Sequence, residues 1–179
     1  MKILKKILLV IASLIGIILL TALFVKSDYA VERQIVINKP KQAVFDYVKM
    51  LKNQNNYSKW ATMDPNMKKE FKGTDGTVGF VSAWDSNSKD VGKGEQEIKK
   101  IDEGNRIDTE IRFIKPFEST SPSYMITESA TENSTTVKWG FSGHMPYPMN
   151  IMLLAMDMDK MIGEDFNTGL KTLKVILEK

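Results

Sequence analysis

Residues 150–178, NIMLLAMDMDKMIGEDFNTGLKTLKVILE, form the segment on which the interpretation of the fold depends. Apolar positions recur along it at steps of three or four, as on one face of an α-helix: Ile151, Ala155, Met158, Ile162, Phe166, Gly169, Leu173 and Ile176. Charged residues fall largely on the other face. The pattern predicts one long amphipathic helix, Asn150 to Glu178, which needs a large apolar partner. A β-sheet built from the preceding residues is the only partner of the right size.

The central part of the chain has the two-residue period of β-strands. Six runs after Pro65 are predicted as strands: Lys68–Lys72, Val78–Trp84, Lys93–Ile101, Arg106–Ile114, Ser123–Ser129 and Val137–Phe141. Short turn sequences such as Asp75-Gly76 and Glu103-Gly104-Asn105 separate these runs. Because loops this short join only antiparallel neighbours, the sequence predicts an antiparallel sheet with one face on a core.

A further strand and two short helices precede these runs. Tyr29–Ile37 is rich in β-branched residues and is predicted as a strand. Pro40 suits the first turn of a helix, where its missing N–H is not needed. A second short helix is predicted around Tyr57–Ala61. The predicted order is therefore strand, two short helices, six strands and a long C-terminal helix.

Four motifs within this order are similar to those of a known superfamily. They are IVINKP (35–40) running into AVFDY (43–47), YSKW (57–60), GTDGTVG (73–79) and GEDFNTGLKTLK (163–174). On these residues the chain resembles the SRPBCC, or START-like, helix-grip superfamily. That group includes START domains, birch-pollen allergens and bacterial polyketide cyclase/dehydrase and lipid transport-like proteins.

The resemblance covers residues 29–179 and implies an α+β helix-grip fold. In that fold a curved antiparallel sheet of about seven strands surrounds the long C-terminal helix, with a hydrophobic cavity between them. The superfamily includes lipid carriers, hormone receptors, cyclases and chaperone activators. The resemblance is therefore more specific for the fold than for the function.

The first 28 residues are predicted to form a transmembrane anchor with its flanks, leaving 29–179 as the helix-grip domain. Ile7–Val25 has nineteen residues without a charge, or about 28 Å of helix, close to the hydrocarbon thickness of a bilayer. A cleaved signal peptide and a buried core helix are the alternatives. The three lysines before the segment favour a cytoplasmic N-terminus, which places the domain on the outer, periplasmic or extracellular, side of the cell membrane.

Charge and composition argue against several classes of function. The chain has 25 basic and 22 acidic residues, a net charge of +3. Four of the basic residues flank the apolar segment, and without them 21 remain against 22, with no basic stripe for nucleic acid: Lys2, Lys5, Lys6 and Lys26. The chain has no cysteine, which excludes disulfides, thiol catalysis and thiolate metal ligands.

Aromatic and methionine side chains are the candidates for lining the implied cavity. Methionine adapts to irregular apolar surfaces, and tyrosine adds one hydrogen bond to an apolar body. Ordinary core filling is the competing interpretation for each of them. The candidate ligand-binding residues are Trp60, Phe80, Trp84, Phe113, Tyr124, Trp139, Phe141, Met145, Met149, Met152 and Met156. Gly163 and Gly169, inside the long helix, are predicted to mark close approach by the sheet or by a ligand.

No catalytic residue, metal site or cofactor is predicted. His144 is the only histidine, and Gly140–His144 lacks the final glycine of a G-x-S-x-G nucleophile elbow. Asp85–Asp90 begins like a calcium loop but has Lys89 where an oxygen ligand is needed.

The leading hypothesis is a membrane-tethered protein that binds or transports a lipid or other hydrophobic small molecule without covalent chemistry. An enzyme of the cyclase or dehydratase type, acting in the same cavity, is one alternative. It would need His144, Tyr124 or a buried carboxylate to point inward. An envelope protein-interaction module is the other alternative.

Overall fold

A seven-stranded antiparallel sheet surrounds the C-terminal helix in the computed structural model, which describes residues 2–179. The strands are β1 Asp28–Ile37, β2 Lys68–Lys72, β3 Val81–Asp85, β4 Lys93–Asp102, β5 Arg106–Lys115, β6 Ser119–Thr131 and β7 Ser134–His144. Their order in the sheet is β1-β7-β6-β5-β4-β3-β2. Consecutive strands pair as hairpins from β2 to β7, and β1 closes on β7. The predicted α+β helix-grip class is confirmed.

Within residues 2–179, five α-helices and two 3-10 turns complete the fold. The helices are α1 Lys2–Ala22, α2 Lys41–Lys49, α3 Gln54–Tyr57, α4 Lys59–Thr62 and α5 Met158–Leu177. The 3-10 turns are Leu51–Asn53 and Met149–Leu154. Helix α5 buries Phe166, Leu170 and Leu173 against the sheet. The Phe166 ring stacks on Trp139 of β7 with centroids 4.6 Å apart.

The long C-terminal helix begins at Met158, so its predicted start at Asn150 was wrong. Asp157 caps the helix, and its Oδ1 accepts a hydrogen bond from the Lys160 amide at 2.9 Å. Aspartate favours this position because its carboxylate binds amides that have no partner inside the helix. Residues 149–154 instead form the 3-10 turn, and Ala155 and Met156 lead into the cap.

The predicted strand Val78–Trp84 was too long at its start, because β3 begins at Val81. Gly76 and Gly79 have φ of +75° and +87°, a region of backbone conformation that favours glycine, and they turn the chain before the strand. Val78 is consequently exposed. Phe80 is fully buried, and its carbonyl accepts a hydrogen bond from the Ile98 amide at 3.0 Å.

The two glycines of α5 mark close approach by the sheet, as predicted. A Cβ on Gly169 would lie 2.9 Å from Cζ3 of Trp139. One on Gly163 would lie 2.2 Å from Nη2 of Arg33, whose guanidinium binds Asp159 at 2.8 Å. Glycine lowers helix propensity by about 1 kcal/mol relative to alanine, and the absence of a side chain lets α5 lie closer to β1 and β7.

Helix α1 is joined to the rest of the protein at its C-terminal end. The buried Asn150 side chain donates hydrogen bonds to the carbonyls of Ala22, at 2.8 Å, and Val25, at 2.9 Å. The Met145 amide binds the Ser27 carbonyl at 2.8 Å. The apolar side chains of α1 are otherwise exposed. The alternative of a buried core helix is therefore wrong.

The strand register shows which strand ends lie at the end of the sheet next to α1. Asp28 pairs with His144, Phe113 with Ser119, Lys93 with both Lys115 and Asp85, and Lys68 with Asp85. We call this side the α1 end of the sheet.

Candidate functional site

A cavity of about 360 Å³ lies between the inner face of the sheet, helix α5 and the short helices α3 and α4. All seven strands contribute to its wall, and in β5 and β6 the antiparallel pleat directs alternate side chains into it. Helix α5 closes it from the other side with Met158, Ile162 and Phe166. The volume lies at the lower end of the range of small-molecule sites.

Aromatic side chains form most of the apolar wall. Trp60, Trp84, Phe113, Trp139 and Phe141 line the cavity. The Trp84 and Phe113 rings meet edge to face with centroids 6.3 Å apart, and the Trp60 and Trp139 rings have the same geometry and distance. These are favourable arrangements for aromatic pairs. The chain has three tryptophans, and all three border the cavity.

Uncharged polar groups occupy part of the inner wall. Gln96 of β4 and Ser121 and Ser123 of β6 are buried and line the cavity. Gln96 Nε2 donates to Thr109 Oγ1 at 3.0 Å, and Ser123 Oγ donates to the Gly140 carbonyl at 2.8 Å. Among residues 2–179, neither Gln96 Oε1 nor the Ser121 hydroxyl has a hydrogen-bond partner. Both groups can therefore bind a polar atom of an occupant.

Charged and imidazole side chains that line the cavity lie at its mouth. Lys69, Asp90 and His144 are exposed. His144 Nδ1 lies 2.7 Å from Asp28 Oδ1, across the first pair of β1 and β7. The mouth thus opens at the α1 end of the sheet. Tyr29 lines the cavity beside His144, and burial raises the pKa of its phenol.

Six of the predicted ligand-binding residues lie outside this cavity. Phe80 belongs to the core, where its ring stacks on Phe71 with centroids 6.1 Å apart. Tyr124 lies on the outer face of the sheet, over Gly140, and donates a hydrogen bond to Glu32 Oε2 at 2.5 Å. Burial and the Glu32 carboxylate raise the pKa of Tyr124. The other four, Met145, Met149, Met152 and Met156, belong to the segment between β7 and α5.

The sequence interpretation missed Gln96, Ser121 and Ser123. Serine and glutamine usually mark an exposed strand face, so their polarity concealed their inward direction. One signal was present in the spacing. Ser121, Ser123 and Met125 share a face of β6, and that face is the buried one.

The outer face of the sheet carries a four-residue charge cluster, which we call the Arg112 cluster. Arg112 Nε binds Glu95 Oε1 at 2.7 Å, and its Nη1 binds Glu97 Oε2 at 2.7 Å and Glu110 Oε1 at 2.5 Å. Glu97 and Glu110 are directly opposite each other on β4 and β5. The guanidinium lowers the pKa of Glu97, with a smaller contribution from Lys99. These charges point away from the cavity.

Within residues 2–179, no group of three or more histidine or carboxylate side chains has a geometry that could hold a metal ion.

No protein-family model matches the chain, and no curated protein matches it significantly. Solved structures do match. Norcoclaurine synthase from Thalictrum flavum, in complex with dopamine and hydroxybenzaldehyde, gives a TM-score of 0.60 at 8% identity, covering 84% of this chain and 86% of the synthase. A protein from Bacillus thuringiensis gives 0.59 at 13% identity, covering 84% and 100%. Ara h 8.0201 gives 0.56 at 13% identity, covering 84% and 97%.

The chain has the helix-grip fold. Norcoclaurine synthase and Ara h 8.0201 are Bet v 1-like proteins, which belong to the SRPBCC helix-grip superfamily. Bet v 1-like proteins are known for binding ligands in an internal cavity, and some of them are enzymes. At these identities the likeness shows the fold alone. The resemblance to the bacterial cyclase and lipid transport-like group stays a prediction.

Proposed function

We propose that this protein binds or transports an uncharged hydrophobic small molecule or lipid in its internal cavity, without covalent chemistry, while α1 holds it in a membrane. The observation that carries the proposal is the cavity itself. It has an aromatic wall, and its charged side chains lie only at the exposed mouth. Burial of apolar ligand surface, at about 25 cal/mol per Å², supplies the affinity.

The polar groups narrow the class of occupant. Gln96 Oε1 accepts a hydrogen bond, and the Ser121 hydroxyl either donates or accepts. A carboxylate or phosphate placed beside them would lose its hydration without gaining a cation. The occupant we propose is therefore neutral and mostly apolar, with a hydroxyl or carbonyl near one end.

The length and composition of α1 support the membrane part of the proposal. Among the helices in residues 2–179, α1 is the one apolar and long enough to span a bilayer, with a mean hydropathy of 2.6 over its best window. Its 21 residues make a helix of about 31 Å. A signal sequence has the same features. We propose an uncleaved anchor, with residues 1–28 as the anchor unit, 29–179 as the binding domain, and the N-terminus in the cytoplasm.

Tryptophan emission tests the binding proposal directly, because every tryptophan borders the cavity. The purified full chain is titrated with 2-naphthol, a small neutral probe with one hydroxyl, and separately with the 2-naphthoate anion. We expect saturable quenching by naphthol and at least tenfold weaker binding of naphthoate. Native mass spectrometry of the same preparation, followed by extraction, identifies any hydrophobic occupant carried through purification.

A matched pair of variants locates the binding. Ser121→Phe places a ring inside the cavity, whereas Thr120→Phe places it on the exposed outer face of the same strand. We expect Ser121→Phe to weaken naphthol binding at least tenfold and Thr120→Phe to leave it unchanged, with circular dichroism checking that both variants are folded. Equal binding by the two folded variants would refute the proposed site.

A second candidate function is an enzyme acting in the same cavity. One observation favours it: His144 borders the cavity at its mouth, and its imidazole is hydrogen-bonded to the Asp28 carboxylate. That arrangement can hold one tautomer of the ring and leave the other nitrogen for proton transfer. The extracted occupant is returned to the protein and followed by mass spectrometry. Loss of one water that His144→Ala abolishes would favour a dehydratase, and an unchanged mass favours binding alone.

A further inference from the structure

A twelve-residue segment without any charge lies beside the end of α1. Its sequence is MPYPMNIMLLAM, residues 145–156, between His144 and Asp157. Tyr147, Met149, Met152 and Leu154 are exposed, and Leu154 exposes 65% of its surface. Leu23 and Phe24, which follow α1 directly, expose 63% and 87%. We call the exposed apolar residues of this segment, together with Leu23 and Phe24, the 145–156 surface.

This surface is attached to the end of α1 by buried hydrogen bonds. Asn150, in the middle of the segment, binds the carbonyls of Ala22 and Val25. Ala22 is itself buried. Phe24, just after α1, and Leu154, in the segment, border the same cleft, so exposed apolar side chains of the segment lie beside the apolar end of α1. Contiguous exposed apolar surface of this kind marks a contact with another protein or with a membrane.

We infer that the 145–156 surface inserts into the interfacial region of the bilayer that α1 crosses. This inference rests on the membrane-spanning role proposed above for α1. The bilayer is the contact we propose for this surface, because a membrane-spanning α1 places the residues next to its C-terminal end at the membrane boundary. Its Tyr, Met and Leu side chains and the absence of charge suit burial several ångströms below the headgroups.

The same placement sets the direction of the cavity mouth. The mouth opens at the α1 end of the sheet, and Tyr29 and Met158 line both the cavity and the cleft beside α1. Phe24, Leu154 and Met156 also line that cleft, together with four charged residues: Lys26, Asp28, Asp157 and Asp159. Insertion of the 145–156 surface therefore brings the cleft, and one wall of the cavity, to the surface of the lipid.

Single labels on the full chain test the inference, because the natural sequence has no cysteine to compete for the reagent. Leu154→Cys and Met149→Cys carry an environment-sensitive fluorophore on the 145–156 surface. Val36→Cys is the matched control, since Val36 is an exposed apolar residue eight positions beyond Asp28 on β1, about 26 Å away at 3.3 Å per residue. Ile11→Cys reports on α1 itself.

The labelled chains are reconstituted in phosphatidylcholine vesicles with no spin label or with lipid spin-labelled near the headgroup; for the label at 11, in the middle of α1, the spin-labelled lipid carries its label deep on the acyl chain. We expect the labels at 149 and 154 to be quenched at least twofold more by the spin-labelled lipid than the label at 36. Iodide in the water should quench them at least twofold less. Quenching at 11 without quenching at 149 or 154 would overturn this inference and leave the anchor standing.

Two further outcomes would also overturn the inference. Absence of lipid quenching at 11 would refute the anchor and this inference together. Protection of 149 and 154 from iodide without lipid quenching would assign the surface to a protein contact, in agreement with an envelope interaction module.

Discussion

Replacing Arg112 with methionine should destabilise the fold at neutral pH, and acid should reduce the penalty. Methionine retains an apolar side chain and removes three charge-assisted hydrogen bonds at 2.5–2.7 Å. The four side chains of the Arg112 cluster are 22–34% exposed, so each bond contributes about 0.5–1 kcal/mol rather than the value of a buried pair. Repulsion between Glu97 and Glu110, then opposed by Lys99 at 3.2 and 3.8 Å from the two carboxylates, adds up to about 1 kcal/mol. The expected loss at pH 7 is about 1.5–4 kcal/mol.

The pH dependence follows from the lowered pKa of Glu97. In the wild type, Glu97 contributes stability that is present above its ordinary pKa of 4.5 and is lost as the pH falls through its lowered value. In the variant, protonation of Glu97 relieves its repulsion with Glu110, so the variant recovers stability on acidification. The difference between the two proteins should therefore shrink by about 1 kcal/mol between pH 7 and pH 4.

Urea unfolding of the full chain in detergent micelles, followed by tryptophan emission at several pH values, measures both effects. Lys138→Met is the control, because Lys138 pairs on the same outer face with the single carboxylate of Glu128. It should change the stability little. A penalty for Arg112→Met that stays constant from pH 7 to pH 4, or grows on acidification, would refute the reasoning.

Three further predictions concern helix α5 and the wall of the cavity. Gly169→Ala should destabilise the fold by about 1–2 kcal/mol in thermal or urea unfolding, because overpacking against Trp139 and the Tyr57 carbonyl exceeds the gain in helix propensity. Gly163→Ala should change the free energy of unfolding little, since the guanidinium of Arg33 can move away. Equal effects of Gly163→Ala and Gly169→Ala would contradict this prediction. Asp157→Ala should lower the free energy of unfolding by about 1 kcal/mol, because it removes the helix cap. The control Asn167→Ala, within the helix, should not. An unchanged unfolding midpoint for Asp157→Ala would mean that Asp157 does not cap the helix. Trp139→Ala should cost about 3–5 kcal/mol and should also weaken naphthol binding to any protein that stays folded; retention of both properties would show that the stack on Phe166 is dispensable.

Regular alternation is what made the fold predictable from the sequence. Ile107, Thr109, Ile111 and Phe113 share one face of β5, and hairpin turns left few ways to connect the strands. The periodicity of α5 identified its partner, although not its first residue. Asp157 decides that start, and aspartate is common both within amphipathic patterns and at helix caps.

The candidate site was less predictable because the direction of a strand residue depends on its neighbours. Tyr124 was expected inside because it is aromatic. Gly140 instead leaves room for its ring on the outer face, where its hydroxyl donates a hydrogen bond to Glu32. Its neighbour Ser123 takes the inward position. The strand register determines such cross-strand partners, and the sequence of a single strand does not reveal that register.

The methionines of residues 145–156 illustrate a different limit. Their chemistry predicted an adaptable apolar surface, but position within the fold decides what that surface contacts. These residues follow the last strand and lie beyond the edge of the cavity, next to the end of α1. Composition alone gave no means of telling a cavity wall from an external face.

With α1 as the proposed anchor, the position of the cavity mouth at the same end of the sheet determines which equilibrium governs selectivity. A molecule that enters from a lipid leaflet has already left water, so transfer into an aromatic cavity exchanges one apolar phase for another. The hydrophobic contribution then largely cancels, as it does for helix association inside membranes. Discrimination between one lipid and the next would fall on the unpartnered groups of Gln96 and Ser121. Affinities measured in water would rank candidate ligands by their hydrophobicity. Competition between the protein and the bilayer would rank them by their complementarity to the cavity.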